Sequence, residues 1–205
     1  CDLELAGARV AVQGYGAVGR HAARLLADAG AVIVAVGDSG GTVVDAGGLD
    51  LDALDRVKAE GRSVGSASVG TAMERDAIRG VECDVWIPAA RPDVLTAETV
   101  GELRARLVVQ GANIPASDEA ETWMHDNGVL SIPDFVANAG GVICGAVELH
   151  GGTEAQAVAT IRERVGDNTR RVLERAQRDG SQPRAAALAL ARERIETAMG
   201  LRRRF

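Results

Sequence analysis

Apolar residues along the first 135 positions fall into short runs separated by amphipathic stretches, and the two alternate with little between them. Arg9–Gln13 reads as a strand, and Ala17–Ala29 as a helix that stops at Gly30. Ala31–Val36, all apolar, is a second buried strand closing on Gly37-Asp38-Ser39-Gly40-Gly41. Leu51, Leu54 and Val57 recur at helical spacing within Asp50–Glu60, with Gly61 as the stop. Asp84–Ile87 is a third strand ending at Pro88, and Thr96–Arg106 is predicted to be helical. Leu107–Gln110 is a fourth strand that runs into Gly111-Ala112-Asn113. Ser117–Asp126 is a helix with Ser117 as its N-cap and Ala120 as its first core-facing residue. Val129–Ile132 is a fifth strand ending at Pro133-Asp134.

Strands alternating with helices predict βαβ units, hence an α/β fold with a doubly wound parallel sheet. Beyond Asn138 the pattern is helical only. One segment begins near Ala139, a long charged helix spans Thr153–Asp179, and an alanine-rich helix follows Pro183 to about Met199. The expected organisation is a doubly wound domain over residues 1–150, with residues 151–205 as a helical extension packing on it.

Composition narrows the function. The 205 residues are 46% hydrophobic and 25% charged but only 2% aromatic, so Ala, Val, Leu and Ile must build the core. A net charge of −6 argues against a nucleic-acid groove, and Arg202-Arg203-Arg204 reads as a solvated tail. No apolar run approaches the roughly 20 residues of a membrane span, and the first residues lack a signal-peptide layout. Cys1, Cys83 and Cys144 are odd in number and far apart, without metal or redox spacing. A cytoplasmic protein with reduced thiols and no metal site is therefore expected. His21, His125 and His150 likewise lack partners at metal or triad spacing. Lys58 is the only lysine; mid-helix beside Asp55 and Glu60, it reads as solvated surface.

The chemistry begins at Gly14-Tyr15-Gly16-Ala17-Val18-Gly19, a G-x-G-x-x-G turn between a strand and a helix. Gly14 allows the tight turn, Gly16 lets a pyrophosphate approach backbone, and Gly19 lets helix and strand pack closely. The N-terminus of the following helix offers N–H groups and partial positive charge to that pyrophosphate. Asp38 lies nineteen residues beyond Gly19, at the end of the second strand, where a carboxylate can accept from ribose hydroxyls. It would repel a 2′-phosphate, and Ser39 and the residues after it to Val43 include no Arg or Lys. NAD is therefore expected rather than NADP. Three further loops leave strand ends: Pro88-Ala89-Ala90, Gly111–Pro115 and Pro133–Gly141. Their small residues leave room for a flat cofactor, and Asn113 and Asn138 can offer amides, although a turn or cap role is as common for each.

The segments VAVQGYGAVGRHAARLL, VGDSGGTVVDAGGLD, DVWIPAA, VVQGANIPASDEAE and VLSIPDFVANAGGVICGAVE, in this order, closely resemble the cofactor domain of the glutamate/leucine/phenylalanine/valine dehydrogenases. PRAAALALARERIETAMGLR resembles that family's closing helix, and GDSGGTVVDAGGLD looks most like its glutamate branch. The resemblance implies an enzyme that oxidatively deaminates an L-amino acid with NAD(P), reversibly, and works as a homo-oligomer. In the family an N-terminal domain supplies the substrate-gripping and catalytic lysines and a proton-transferring aspartate. That domain is absent from this sequence, so no catalytic residue is expected here and the chain alone should bind cofactor without turnover. Asn113 and Asn138 match residues near the nicotinamide and its ribose. Gly145 aligns where glutamate dehydrogenases carry a serine that contacts the substrate's side-chain carboxylate, which puts glutamate in doubt and makes a smaller or apolar substrate plausible. Cys144 beside it fits a small buried hydrophobe. A stand-alone module that senses NAD and signals to a partner is the alternative reading.

Overall fold

A computed structural model describes residues 2–202, so Cys1, Arg203 and Arg204 lie outside the described residues. The strands β1 (Arg9–Gln13), β2 (Val32–Asp38), β3 (Gly41–Val44), β4 (Thr71–Met73), β5 (Val85–Pro88), β6 (Leu107–Val109) and β7 (Leu130–Ile132) form one sheet. Its order is β4-β3-β2-β1-β5-β6-β7. The five strands expected from the apolar runs are all parallel to one another. Two further strands, β3 and β4, extend one edge antiparallel.

β1 alternates its side chains between two cores, as the period of two requires. Val10 and Val12 join Ile33, Val36, Leu51 and Leu54 on one face. That face is covered by α1 (Ala17–Asp28) and α2 (Leu51–Ala59). Ala11 joins Trp86, Val108, Ala120 and Met124 on the other, under α3 (Asp118–Asp126). Trp86 is fully buried and donates its indole N–H to the Ile78 carbonyl at 3.1 Å, since an unpaired N–H there would cost free energy. The β1–β2 pairing slips by one residue between Val10 and Ala11.

Ser117 caps α3 by accepting from the Ala120 N–H at 3.2 Å. Thr96–Arg106 is not the expected α-helix: it holds only a 3-10 turn, Val100–Glu102. The threonines explain why. Thr99 Oγ1 accepts from the Thr96 N–H at 2.9 Å and donates to the Val94 carbonyl. Such local bonds compete with a helix, and Gly101 weakens it further.

The chain divides into two compact units between Asp134 and Phe135. The break expected at residue 150 and this division are different places, because the second unit begins where alternation stops. A short helix, α4 (Asp134–Ala137), straddles the division. The second unit contains α5 (Gly140–Leu149), α6 (Glu154–Asp179) and α7 (Pro183–Arg202). Thr153 and Gln156 form a capping box at the start of α6, and Gly180 ends it in left-handed conformation.

Candidate functional site

β1 lies between β2 and β5. The chain leaves β1 in one direction, returns on its other side, and so makes a topological switch at the C-terminal ends of β1 and β5. Open α/β sheets bind ligands in the crevice at such a switch. The glycine turn follows β1 directly. Gly14 has φ of 104°, and a Cβ there would sit 2.7 Å from the Ala90 Cβ. A Cβ on Gly19 would lie 1.8 Å from the Gly14 carbonyl oxygen. Packing within the protein thus demands both residues. Gly16 is different: it is exposed, its φ is −89°, and a Cβ there would meet nothing within 4 Å. It is the N-cap of α1 yet supplies no side-chain cap, and Ala17 and Val18 of the first turn are also exposed. The helix end is left facing outward with its partial positive charge uncovered.

The other predicted loops of the first unit converge on this turn. Ala89 N–H donates to the Gln13 carbonyl at 2.7 Å, and Gly14 N–H to the Gly37 carbonyl at 2.8 Å. Gly111 and Ala112 both donate to the Pro88 carbonyl, at 3.0 and 2.8 Å. A Cβ on Gly111 would come within 3.4 Å of Val18. Gly14–Gly19, the start of the β2–β3 hairpin, Ala89, Ala90 and the Asn113 loop therefore share one end of the sheet, with Ala90, Asn113 and Ser39 exposed. At its base the Gln13 Oε1 atom is buried without a hydrogen-bond partner.

Tyr15 turns its ring inward. It is 2% exposed, and its hydroxyl donates to Asp55 Oδ1 at 3.0 Å. Burial foremost, then the Asp55 carboxylate, holds its phenol well above the usual range. Asp55 also binds Arg20 at 2.9 Å and Arg24 at 2.6 Å. Only the backbone of Tyr15 can serve a ligand at the turn.

Asp38 is engaged on both oxygens. Oδ1 accepts from the Ser63 hydroxyl at 2.5 Å and the Gly40 N–H at 2.9 Å. Oδ2 accepts from Lys58 Nζ at 2.8 Å and the Val64 N–H at 3.0 Å. Burial alone would raise its pKa; the bonds from Lys58, Ser63 and the two amides outweigh it, and the group sits below the usual carboxylate range. Lys58 is thus not the solvated side chain its surroundings in sequence implied. The polar face of α2 presents it to the end of β2, where its ammonium neutralises the acid.

Asn138 and Gly145 belong to the second unit. Gly145 lies exposed on α5, and a Cβ there would meet nothing within 4 Å. Cys83 is buried, which pushes its thiol up to about 12, whereas Cys144 is half-buried rather than enclosed. His21 and His150 bond the carbonyls of Ala17 and Ala146, each one helical turn back. Among the described residues no cluster of three or more His, Cys, Asp or Glu could hold a metal ion, and no helix is long and apolar enough to cross a membrane.

The sequence profile described as Glutamate/Leucine/Phenylalanine/Valine dehydrogenase matches residues 1–203. The chain belongs to this dehydrogenase family. The glutamate dehydrogenase of Aeropyrum pernix is 36% identical over 97% of this chain and 50% of its own length. A hetero-hexameric glutamate dehydrogenase from Thermus thermophilus, solved in a leucine-bound form, superposes with a TM-score of 0.86 at 32% identity. That match covers 98% of this chain and 49% of the Thermus chain. Two glutamate dehydrogenases of Halobacterium salinarum, one NADP-specific and one NAD-specific, are 39% and 40% identical over 69% of this chain and 34% and 32% of their own lengths. The chain spans about half the length of the Aeropyrum and Thermus relatives. This member of the family is accordingly glutamate dehydrogenase-like, and its relatives use a nicotinamide cofactor of either kind.

Proposed function

We propose that this chain binds NAD across the β1–β5 switch point, as the cofactor-binding part of an L-amino-acid dehydrogenase that interconverts amino acids and 2-oxo acids. One observation carries the reading. Of the three glycines in the turn, two are demanded by packing, and the third, Gly16, stands beside open space at an uncapped helix N-terminus. A pyrophosphate is the group that such a position fits. The unpartnered Gln13 Oε1 beneath it adds a polar atom that a bound water or ligand would satisfy. When bound, the nicotinamide supplies the hydride acceptor. The protein orients it, with the turn from Gly14 to Gly19 on the pyrophosphate, Ala89 and Ala90 on the flat rings, and Asn113 on the nicotinamide side; for Asn138 the same role rests on the family resemblance alone.

On the adenosine side Asp38 and Ser39 face the ribose, and Asp38 disfavours a 2′-phosphate. Compensation by Lys58 reduces that repulsion, so the preference for NAD over NADP is modest. Gly145, without a hydroxyl, fits a substrate with an apolar or small side chain better than glutamate. The amino acid, the groups that activate it and the homo-oligomer contacts belong with the additional length that the relatives possess.

Titration of the 205-residue chain with NADH, followed by nicotinamide fluorescence, tests the reading. Saturable binding together with no turnover of any amino acid is expected. Absence of binding at millimolar NADH, or measurable deamination, would overturn it.

A further inference from the structure

Ile114 is one of two non-glycine residues with positive φ among those described, at 48°, and it is 61% exposed. A β-branched side chain in that region is strained, and such strain persists only where surrounding structure imposes it. Here it is imposed from both sides. The Ile114 carbonyl accepts from the N–H of Asp93, the other such residue, at 3.0 Å. The Ile114 N–H donates to Asp134 Oδ2 at 2.9 Å.

Asp134 is itself held from below. Its backbone N–H donates to Gln110 Oε1 at 3.2 Å. Gln110 is fully buried at the end of β6, and its amide donates to Glu121 Oε1 of α3 at 2.6 Å and Ser131 Oγ of β7 at 2.9 Å. Glu121, Ser131 and Asp134 are all buried. A polar chain of this kind is costly unless each member is satisfied, and through Asp134 it reaches the strained peptide of exposed Ile114. Asn113, its neighbour, is exposed at the crevice where Gly111 and Ala112 meet the Pro88 carbonyl.

We infer that Asp134 is a positioning residue, which holds the Gly111–Pro115 loop preformed to receive the nicotinamide nucleoside half of the cofactor and leaves the adenosine half unaffected. The inference rests on the proposed dinucleotide site. Its test uses the 205-residue chain and two probes: NADH, and ADP, which shares the adenosine and both phosphates but lacks the nicotinamide nucleoside. Asp134→Ala removes the acceptor; NADH affinity should fall about tenfold, as for loss of a buried charge-assisted bond, while ADP affinity stays within about twofold. Asp134→Asn keeps an acceptor oxygen and should lie between. Adding Ile114→Gly to Asp134→Ala should recover most of the NADH affinity, because glycine adopts the left-handed turn without being held. Circular dichroism and thermal melts establish that each variant is folded, and Asp134→Asn carries the comparison if Asp134→Ala is not. An equal loss of NADH and ADP, unchanged NADH binding in both single variants, or failure of Ile114→Gly to restore it would overturn the inference while leaving the dinucleotide site standing. Wild-type protein that binds neither probe would overturn both.

Discussion

Tyr15, between the first two glycines of the turn, donates its hydroxyl to Asp55 of α2 at 3.0 Å. The turn is therefore tied to a helix forty residues further along the chain. Arg20 and Arg24 from α1 bind the same carboxylate, so one acid joins the turn and two helices. Tyr15→Phe keeps the ring packing and leaves Asp55 with both arginines. It should cost about 1 kcal/mol, read from the urea midpoint, and leave NADH affinity within about twofold. Asp55→Ala, which takes this acceptor from Arg20 and the buried phenol and leaves Arg24 with Asp52 alone, should cost more, roughly 2–4 kcal/mol.

Gly16 and Gly19 separate the proposed ligand role from packing. Gly19→Ala places a methyl 1.8 Å from the Gly14 carbonyl oxygen, and the backbone must move. A loss of more than about 3 kcal/mol, or no folded protein, is expected in thermal melts. Gly16→Ala meets no protein atom and should change stability by less than about 1 kcal/mol. NADH affinity of that variant should nonetheless fall at least about tenfold by titration. Undiminished binding would remove Gly16 from the site.

Asp38 and Asp55 both have pKa values held below the unfolded value by hydrogen bonds that outweigh burial. A depressed carboxylate contributes stability that is fully present above its unfolded pKa, near 4, and is lost as pH falls through the lower folded value. Denaturation midpoints should be flat from about pH 7 to pH 5 and fall steeply below about pH 4. Asp38→Asn should start lower at neutral pH, and its deficit should shrink as the buffer is acidified below about pH 4.

Lys58→Met leaves Asp38 without its counter-ion. The carboxylate then opposes a 2′-phosphate at full charge, and the ratio of NAD to NADP affinity should rise several-fold, chiefly through weaker NADP. Equal titrations of both cofactors before and after the substitution check this. An unchanged ratio would show that neither Lys58 nor Asp38 senses the 2′-position.

Signals carried by a few neighbouring residues were legible in the sequence. The glycine spacing, Ser117 and the five buried runs all act within one turn or strand. The β2–β3 hairpin was hidden because only Ser39 and Gly40 separate its strands, and Gly41–Val44 is too short to show alternation. β4 is exposed at every position and has no apolar pattern to read. At the site, the twenty-position separation of Asp38 and Lys58 concealed their ion pair, although a sole lysine on the polar face of the helix after the acid-bearing strand was a usable hint. Tyr15 reads as a ligand contact from its place in the glycine turn; that its ring packs inward depends on Asp55. The left-handed Ile114 left no trace, since nothing local favours that conformation in isoleucine and its peptide is held by Asp93 and Asp134, each about twenty residues away.

Trp86, sealed in the middle of β5 with its indole N–H on the Ile78 carbonyl, gives the protein an optical reporter next to the crevice. Its emission should be blue-shifted and resist external quenchers, whereas the other tryptophan, half-buried Trp123, should be quenched. Trp123→Phe would leave a single donor two residues before Pro88. Energy transfer from that donor to a reduced nicotinamide would then register cofactor arrival without any added label.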